Sequence, residues 1–238
     1  MTLKSICTEV LGQSGFPAVS NISPSNDPQA QQMFALANAE LVFLSEQHRW
    51  PQLEVEYEFF TVPGQRVYSL PDDFRTMVSD TMFDADQYYR VKGSVSDEQF
   101  MSFRYSGWGD LARTRFKLLY GTDGGSSIAL LGEPTTARRL VCMYTRNKYA
   151  RSVDNTIAQR YTVDTDTSLI PEQLVKLGLS YRFRRAKGLD FSAELVEYNT
   201  AVSTALARLS GAGSIPVGYR YDGDWLPCGT VPENGFGQ

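Results

Sequence analysis

His48 is the only histidine in 238 residues, so it is the first residue to try for chemistry. A general base needs a nucleophile or an orienting partner within reach. No serine or cysteine can be nominated beside it, and it falls on the apolar stripe of a helix, where a packing or capping role is expected. Cys7, Cys142 and Cys228 lack the two-to-four-residue spacing of structural zinc ligands. Their odd number reads as reduced thiols in a cytosolic setting, not as a disulfide framework. Asp164-Thr165-Asp166 followed by Glu172 has some carboxylates of a calcium loop, without its glycine or its terminal glutamate spacing; a solvated loop is expected there. Gly211-Ala212-Gly213 follows a helix, whereas a dinucleotide fingerprint follows a strand. Glu54, Glu56 and Glu58, or Asp72 and Asp73, could pair for glycoside hydrolysis, but alternation along a strand accounts for the glutamates. The chain therefore reads as a non-enzyme, with no catalytic, metal or cofactor residues to assign.

Two other groups of residues point to contacts. Arg182, Arg184, Arg185 and Lys187 place four cations in six residues. Cations at a helix C-terminus complement its dipole, but four exceed what capping needs. They would meet either a nucleic-acid backbone or acidic groups of a partner subunit. The net charge of −4 favours the protein partner, and Glu194 and Glu197 on the next helix are candidate partners. The second group is Tyr219, Tyr221, Trp225 and Phe236, set among seven glycines and three prolines in residues 210–238. That stretch lacks periodicity and cannot build its own core.

The elements that position these groups follow from hydrophobic period. Leu3, Ile6, Val10 and Leu11 predict a short helix capped by Thr2. Asp27-Pro28 opens a longer one, with Phe34, Ala37, Leu41, Leu44 and His48 on one stripe, ending before Pro51. The period then becomes two: Val55, Tyr57 and Phe59 alternate with the three glutamates. Further strands are expected at 67–70, 76–83, 88–95, 115–120, 127–131 and 139–145, with a short one at 159–163. Ser96 caps a helical turn, and 107–109 is a loop. Pro171 opens a helix carrying two apolar stripes, Leu174/Leu177/Tyr181 and Val175/Leu179/Phe183. Gly188 ends it in a left-handed conformation, and Asp190 caps a last helix with Phe191, Leu195, Tyr198, Val202, Ala205 and Leu209 on one face. The join is short, so these two helices are antiparallel neighbours. The expected class is α+β: a helical bundle from residues 1–51 and 168–209, an inserted antiparallel β-sandwich or open barrel over 52–167, and an extended C-terminal arm over 210–238. There is no run of eighteen apolar residues, hence no expected membrane span, and the N-terminus lacks the apolar core of a signal peptide.

One arrangement resembles a known family. A helix ending in His48-Arg49-Trp50 precedes a glutamate-rich strand, then Pro63-Gly64-Gln65-Arg66-Val67-Tyr68-Ser69-Leu70-Pro71-Asp72-Asp73-Phe74. A hairpin ending at Leu131-Gly132-Glu133-Pro134 leads into an apolar strand through Tyr144, and Leu169-Ile170-Pro171-Glu172 opens the final helical hairpin. Over residues 1 to 209 this resembles the head-to-tail adaptor proteins (connector, neck or upper tail-tube ring) of tailed bacteriophages. One departure is Gly121 to Gly125, where the family often has proline-rich turns. The resemblance implies a virion protein that forms a homo-oligomeric ring of twelve copies under the portal protein. Genomic DNA would pass through without sequence specificity, and a downstream tail or nozzle protein would follow. It carries over no catalytic residue. Two alternatives are a peptidoglycan hydrolase borne on the same ring and a nucleic-acid-binding module using residues 182–187. Three expectations follow. The helical hairpin forms the subunit-to-subunit or portal-facing wall of the ring, one apolar stripe facing the chain's own first long helix and another left to bury elsewhere. At least one of Arg182, Arg184 and Arg185 pairs with another chain. The arm orders on assembly, with Trp225 as anchor.

Overall fold

The computed structural model describes residues 1–105, 115–121 and 125–209. In chain order it has helices α1 (Leu3–Gln13) and α2 (Pro28–Gln47), strands β1 (Glu54–Phe60), β2 (Val67–Ser69), β3 (Phe74–Met77), β4 (Phe83–Asp84), β5 (Tyr89–Arg90) and β6 (Lys92–Gly93), and helix α3 (Asp97–Tyr105). Then come β7 (Arg115–Tyr120), β8 (Ser126–Leu130), β9 (Arg139–Arg146), β10 (Ala150–Arg151), β11 (Ile157–Ala158) and β12 (Thr167–Ser168), and finally α4 (Glu172–Ala186) and α5 (Ser192–Leu209). The chain is mixed α+β, and no sheet among the described residues closes into a barrel.

Local signals set the helix ends. The Thr2 hydroxyl accepts the Ser5 N–H, and the Asp27 carboxylate accepts the Gln29 N–H ahead of Pro28. Gly188 has φ +71°, and the Leu189 N–H beyond it bonds back to the Arg184 carbonyl at 3.0 Å, closing α4 as a left-handed glycine cap does. Asp190 Oδ1 takes the Ser192 N–H at 3.0 Å, opening α5.

Strand β9 is the axis of one sheet. β1 pairs along it in seven antiparallel registers from Glu54↔Thr145 to Phe60↔Arg139, and β3 and β4 share its other edge. A second sheet runs β2-β8-β7-β6, and a third runs β11-β10-β12. The inward residues of the first two sheets meet in one apolar cluster: Phe59, Leu140, Cys142 and Tyr144 from one, Tyr68, Phe116, Ile128 and Leu130 from the other. A separate cluster gathers Leu3 and Ile6 of α1, Leu41 and Leu44 of α2, Leu179 and Phe183 of α4, and Tyr198 and Val202 of α5. Tyr149, Ala150 and Tyr161 join this helical cluster from the segment between β9 and α4.

Three expectations change. The strand expected over 76–83 breaks after Met77, because Asp80 takes a left-handed φ of 61° and the Thr81 hydroxyl donates to the Val78 carbonyl at 2.8 Å, making a turn. The strand expected at 159–163 is instead β11, two residues earlier. The Tyr161 N–H is bound to Asn38 Oδ1 at 2.8 Å, and those of Thr162 and Val163 are bound to Asp166 Oδ2, so they are unavailable to a ladder. β6 and β7 run parallel, which requires a crossover, and α3 lies in that connection. The loop expected at 107–109 lies outside the described residues.

Candidate functional site

The basic end of α4 is built on a carboxylate that hydrophobic pattern hid. Glu40 lies on the buried stripe of α2 between Ala37 and Leu44 and is 0 % exposed. Its Oε2 accepts from Arg182 Nε, and its Oε1 accepts from the Tyr198 hydroxyl at 2.6 Å. The guanidinium carbon of Arg182 also lies 4.9 Å from the centre of the Phe43 ring. Gly178, one turn before Arg182, makes room: a Cβ there would stand 2.1 Å from Glu40 Oε1. One acid on α2, one cation on α4 and one hydroxyl on α5 thus join three helices. A buried charge tolerates burial only when paired and hydrogen-bonded, and both carboxylate oxygens are engaged. Burial, and then the hydrogen bond to the Glu40 carboxylate, push the Tyr198 phenol well above its ordinary pKa, so it stays a donor through the physiological range.

The other cations are also largely spent inside the chain. Arg184 Nη1 pairs with Glu194 Oε1 of α5 at 2.9 Å. Lys187 Nζ stands 5.7 Å from the Phe16 ring centre and 5.4 Å from that of Phe183. Arg185 and Glu197 are exposed. The structure therefore pairs Arg182 with α2 and Arg184 with Glu194 of α5, rests Lys187 beside Phe16 and Phe183, and leaves Arg185, Glu197 and the exposed Lys187 facing outward. Tyr219, Tyr221, Trp225 and Phe236 lie outside the described residues.

The motive for a free apolar wall on the hairpin does not hold. Both stripes of α4 are covered within one chain: Leu174 and Tyr181 on one, Val175, Leu179 and Phe183 on the other are all buried, with Leu177 partly so. The reason is that α4 packs against α1, α2 and α5 at once. The outward side of the hairpin is α5, where Val196 is exposed.

The Asp164–Asp166 loop is a structural tie, not the solvated loop expected. The Asp164 carboxylate accepts the N–H groups of Ile22 and Ser23, the latter at 2.6 Å. The backbone carbonyls of Asp164 and Asp166 accept the N–H groups of Lys4 and Leu3. Asp166 Oδ2 takes three donors from Thr162 and Val163. Carboxylates engaged in this way organise backbone. No cluster of His, Cys, Asp or Glu among the described residues could hold a metal ion.

His48 ends α2 and packs edge-on to Trp50, ring centres 6.2 Å apart, while Trp50 Nε1 donates to the Leu44 carbonyl at 2.8 Å. Cys7 and Cys142 are buried free thiols, and burial pushes them up to about 12 and about 11. The outward glutamates of β1 meet arginines: Glu54 accepts from Arg49 at 2.5 Å, and Glu58 lies 3.8 Å from Arg139.

The Glu40 node was the residue set that pattern reading missed. Its signal was present: a lone acid on an apolar helical stripe, with a glycine four residues before an arginine on another helix. A family model described as SU10 adaptor protein matches residues 1–224. No curated protein matches the chain.

Proposed function

The chain belongs to the SU10 adaptor protein family, and from that premise we propose that it is a head-to-tail adaptor of a tailed phage virion. In this reading copies of the chain form a ring of twelve under the portal protein. Genomic DNA passes through the centre without sequence recognition, and a downstream tail or nozzle protein docks on the far side. We read residues 1–51 and 168–209 as a helical bundle, joined by Tyr149, Ala150 and Tyr161 of the third sheet region, the rest of 52–167 as an inserted two-sheet sandwich, and 210–238 as an arm that orders on assembly.

The observation that carries the reading is a pair of unlike surfaces on one chain. β1 turns Glu56 and Glu58 outward, and the end of α4 turns Arg185 and Lys187 outward. A ring is closed by heterologous contacts, in which one surface of a subunit meets a different surface of the next, and unlike charge gives such contacts their orientation. The reading assigns no catalytic residue. No helix among the described residues is long and apolar enough to cross a membrane.

The test is the mass of the purified chain in solution, alone and with portal protein. A species of twelve times 26.6 kDa alone, or a portal species heavier by that mass, is expected in at least the second case, and a monomer in both would overturn the reading. A cell-wall turbidity assay separates the hydrolase alternative, since clearing by the purified chain would count against a purely structural role.

A further inference from the structure

α3 lies against the outward face of the β2-β8-β7-β6 sheet. Alternation along β7 sends Phe116 and Leu118 into the apolar cluster and leaves Arg115, Lys117 and Leu119 on the other face. Two cation–π contacts hold the helix there: Arg115 lies 4.8 Å from the Phe103 ring centre and Lys117 5.0 Å from that of Phe100. Between α3 and strands β2 and β8 a groove of about 350 Å³ opens. Its apolar lining is Phe100, Phe103, Val67, Leu119, Ala129 and Leu131, and two arginines, Arg66 and Arg104, complete it. Arg66 pairs with the Glu133 carboxylate at 2.9 Å; Arg104 is exposed, with its guanidinium 5.8 Å from the Tyr105 ring centre. Val67 is 47 % exposed, and Met101 and Tyr105 on α3 more so. No residue of α3 is buried, so among the described residues no other element packs over its outer side.

We propose that this groove receives Trp225 from the C-terminal arm of a second copy of the chain. The inference rests on the ring reading above and names the contact that closes it. Chemistry selects the occupant. The arm reads Asp222-Gly223-Asp224-Trp225-Leu226-Pro227, a large aromatic preceded by two carboxylates, and the groove offers an aromatic-lined floor beside two guanidiniums. Tryptophan is among the side chains most enriched at the energetic centres of interfaces, and arginine is the cation best matched to carboxylates. Length permits a second copy, and the closure of a ring selects it. Trp225 lies 16 residues beyond Leu209, the end of α5, a reach of up to about 55 Å when extended, against a diameter of roughly 45 Å for a compact chain of this size. Groove and arm are different surfaces, so the contact is heterologous and repeats around a ring.

The experiment uses the full chain. Native mass is followed against concentration, with portal protein present, for the wild type, Trp225→Ala, Arg104→Glu, and Arg104→Glu combined with Asp224→Arg. Each single change should raise the concentration needed for assembly at least tenfold, and the double charge reversal should restore much of it. Beside this, a chain carrying Val67→Cys and Cys228→Ser is mixed with wild-type chain and oxidised. Cys228 is three residues from Trp225, so a disulfide between two chains is expected, and it should disappear when the wild-type partner carries Trp225→Ala. Rings that form equally well from all four proteins overturn the groove contact while leaving the ring reading intact. A crosslink that forms only within single chains carrying both Val67→Cys and Cys228 overturns the assignment to a second copy. A wild-type chain that remains monomeric with portal overturns the ring reading and this inference with it.

Discussion

Glu40 and Gly178 share one space between α2 and α4. The carboxylate sits where a side chain on residue 178 would begin, with Oε1 only 2.1 Å from the site of that Cβ. Its position is fixed by Arg182 on one oxygen and Tyr198 on the other, so it cannot swing aside at low cost. Gly178→Ala should therefore destabilise the chain by about 1–3 kcal/mol, as overpacking of a filled interior does. The helical site Gly12 has nothing within 4 Å of its added Cβ, and Gly12→Ala there should be neutral or gain about 0.5 kcal/mol. Urea unfolding midpoints for the two variants would check this. Equal midpoints would show that the carboxylate relaxes freely.

The two ion pairs of α4 should differ widely in worth. Removing Arg182 strands a fully buried carboxylate, and Arg182→Ala should cost about 3–5 kcal/mol. Replacing all three members with apolar residues, Glu40→Leu and Arg182→Met with Tyr198→Phe so that no buried hydroxyl is left unpaired, should recover most of that loss. Arg184 and Glu194 are each more than a fifth exposed, so Arg184→Ala should cost only about 0–1 kcal/mol. The same unfolding series decides it, and a larger loss at Arg184 than at Arg182 would contradict the assignment of the node.

Acid should loosen the Asp166 tie. Burial alone would raise this carboxyl's pKa, but the N–H groups of Val163 and Thr162 and the hydroxyls of Thr162 and Ser152 outweigh it and hold the pKa below its ordinary value. A folded pKa below the unfolded one, about 3.9 for aspartate, stabilises above that value, and the contribution is lost as pH falls through the folded pKa. Wild-type stability should thus drop more steeply than that of Asp166→Asn below about pH 4. Parallel curves for the two proteins between pH 6 and pH 2.5 would refute it.

Thiol accessibility gives a direct reading of both cores. Cys7 anchors the helical cluster and Cys142 the sheet cluster, and burial holds both thiols neutral far above pH 8. Alkylation at pH 8 should leave both unmodified in the native chain, while all three cysteines react in denaturant. Because the raised pKa values favour the folded state only below the unfolded thiol value of about 8.5, this contribution fades as pH climbs from there towards 11 to 12.

The arm should matter to assembly and not to folding. A chain ending at Gly211 should unfold at the same urea midpoint as the full chain, yet dock poorly with portal. Limited proteolysis should cut residues 210–238 faster in free chains than in rings. Equal cutting in both states, or full docking by the truncated chain, would remove the arm from the assembly scheme.

What pattern reading recovered was local. Thr2, Asp27, Pro171 and Gly188 act within one turn of themselves, and their neighbours in sequence are their partners in space. The apolar residues of 139–145 likewise marked a strand there, and β9 occupies it. What it missed depends on long separations. Glu40 meets Arg182 across 142 residues and Tyr198 across 158, so its isolation on an apolar stripe looked like an ordinary polar interruption. Strands were expected over 76–83 and 88–95, but after Met77 the chain pairs there only in two-residue pieces at β4, β5 and β6, too short for a period to show. The expected strand at 159–163 had the right residues, but Asn38 and Asp166 claimed their N–H groups first.

The bonds from Leu3, Lys4, Ile22 and Ser23 to Asp164 and Asp166 impose an order on synthesis. The helical layer that contains the first helix cannot seal until the ribosome has delivered residue 166. At about 5–20 residues per second, the nascent amino-terminal segment waits roughly 8–30 s for its docking site. The β1–β9 sheet, complete by residue 146, has its partners in hand earlier. During translation the sheets are therefore the part that can fold first, and the apolar stripes of α1 and α2 are the surface that needs shielding until the chain's last helices emerge.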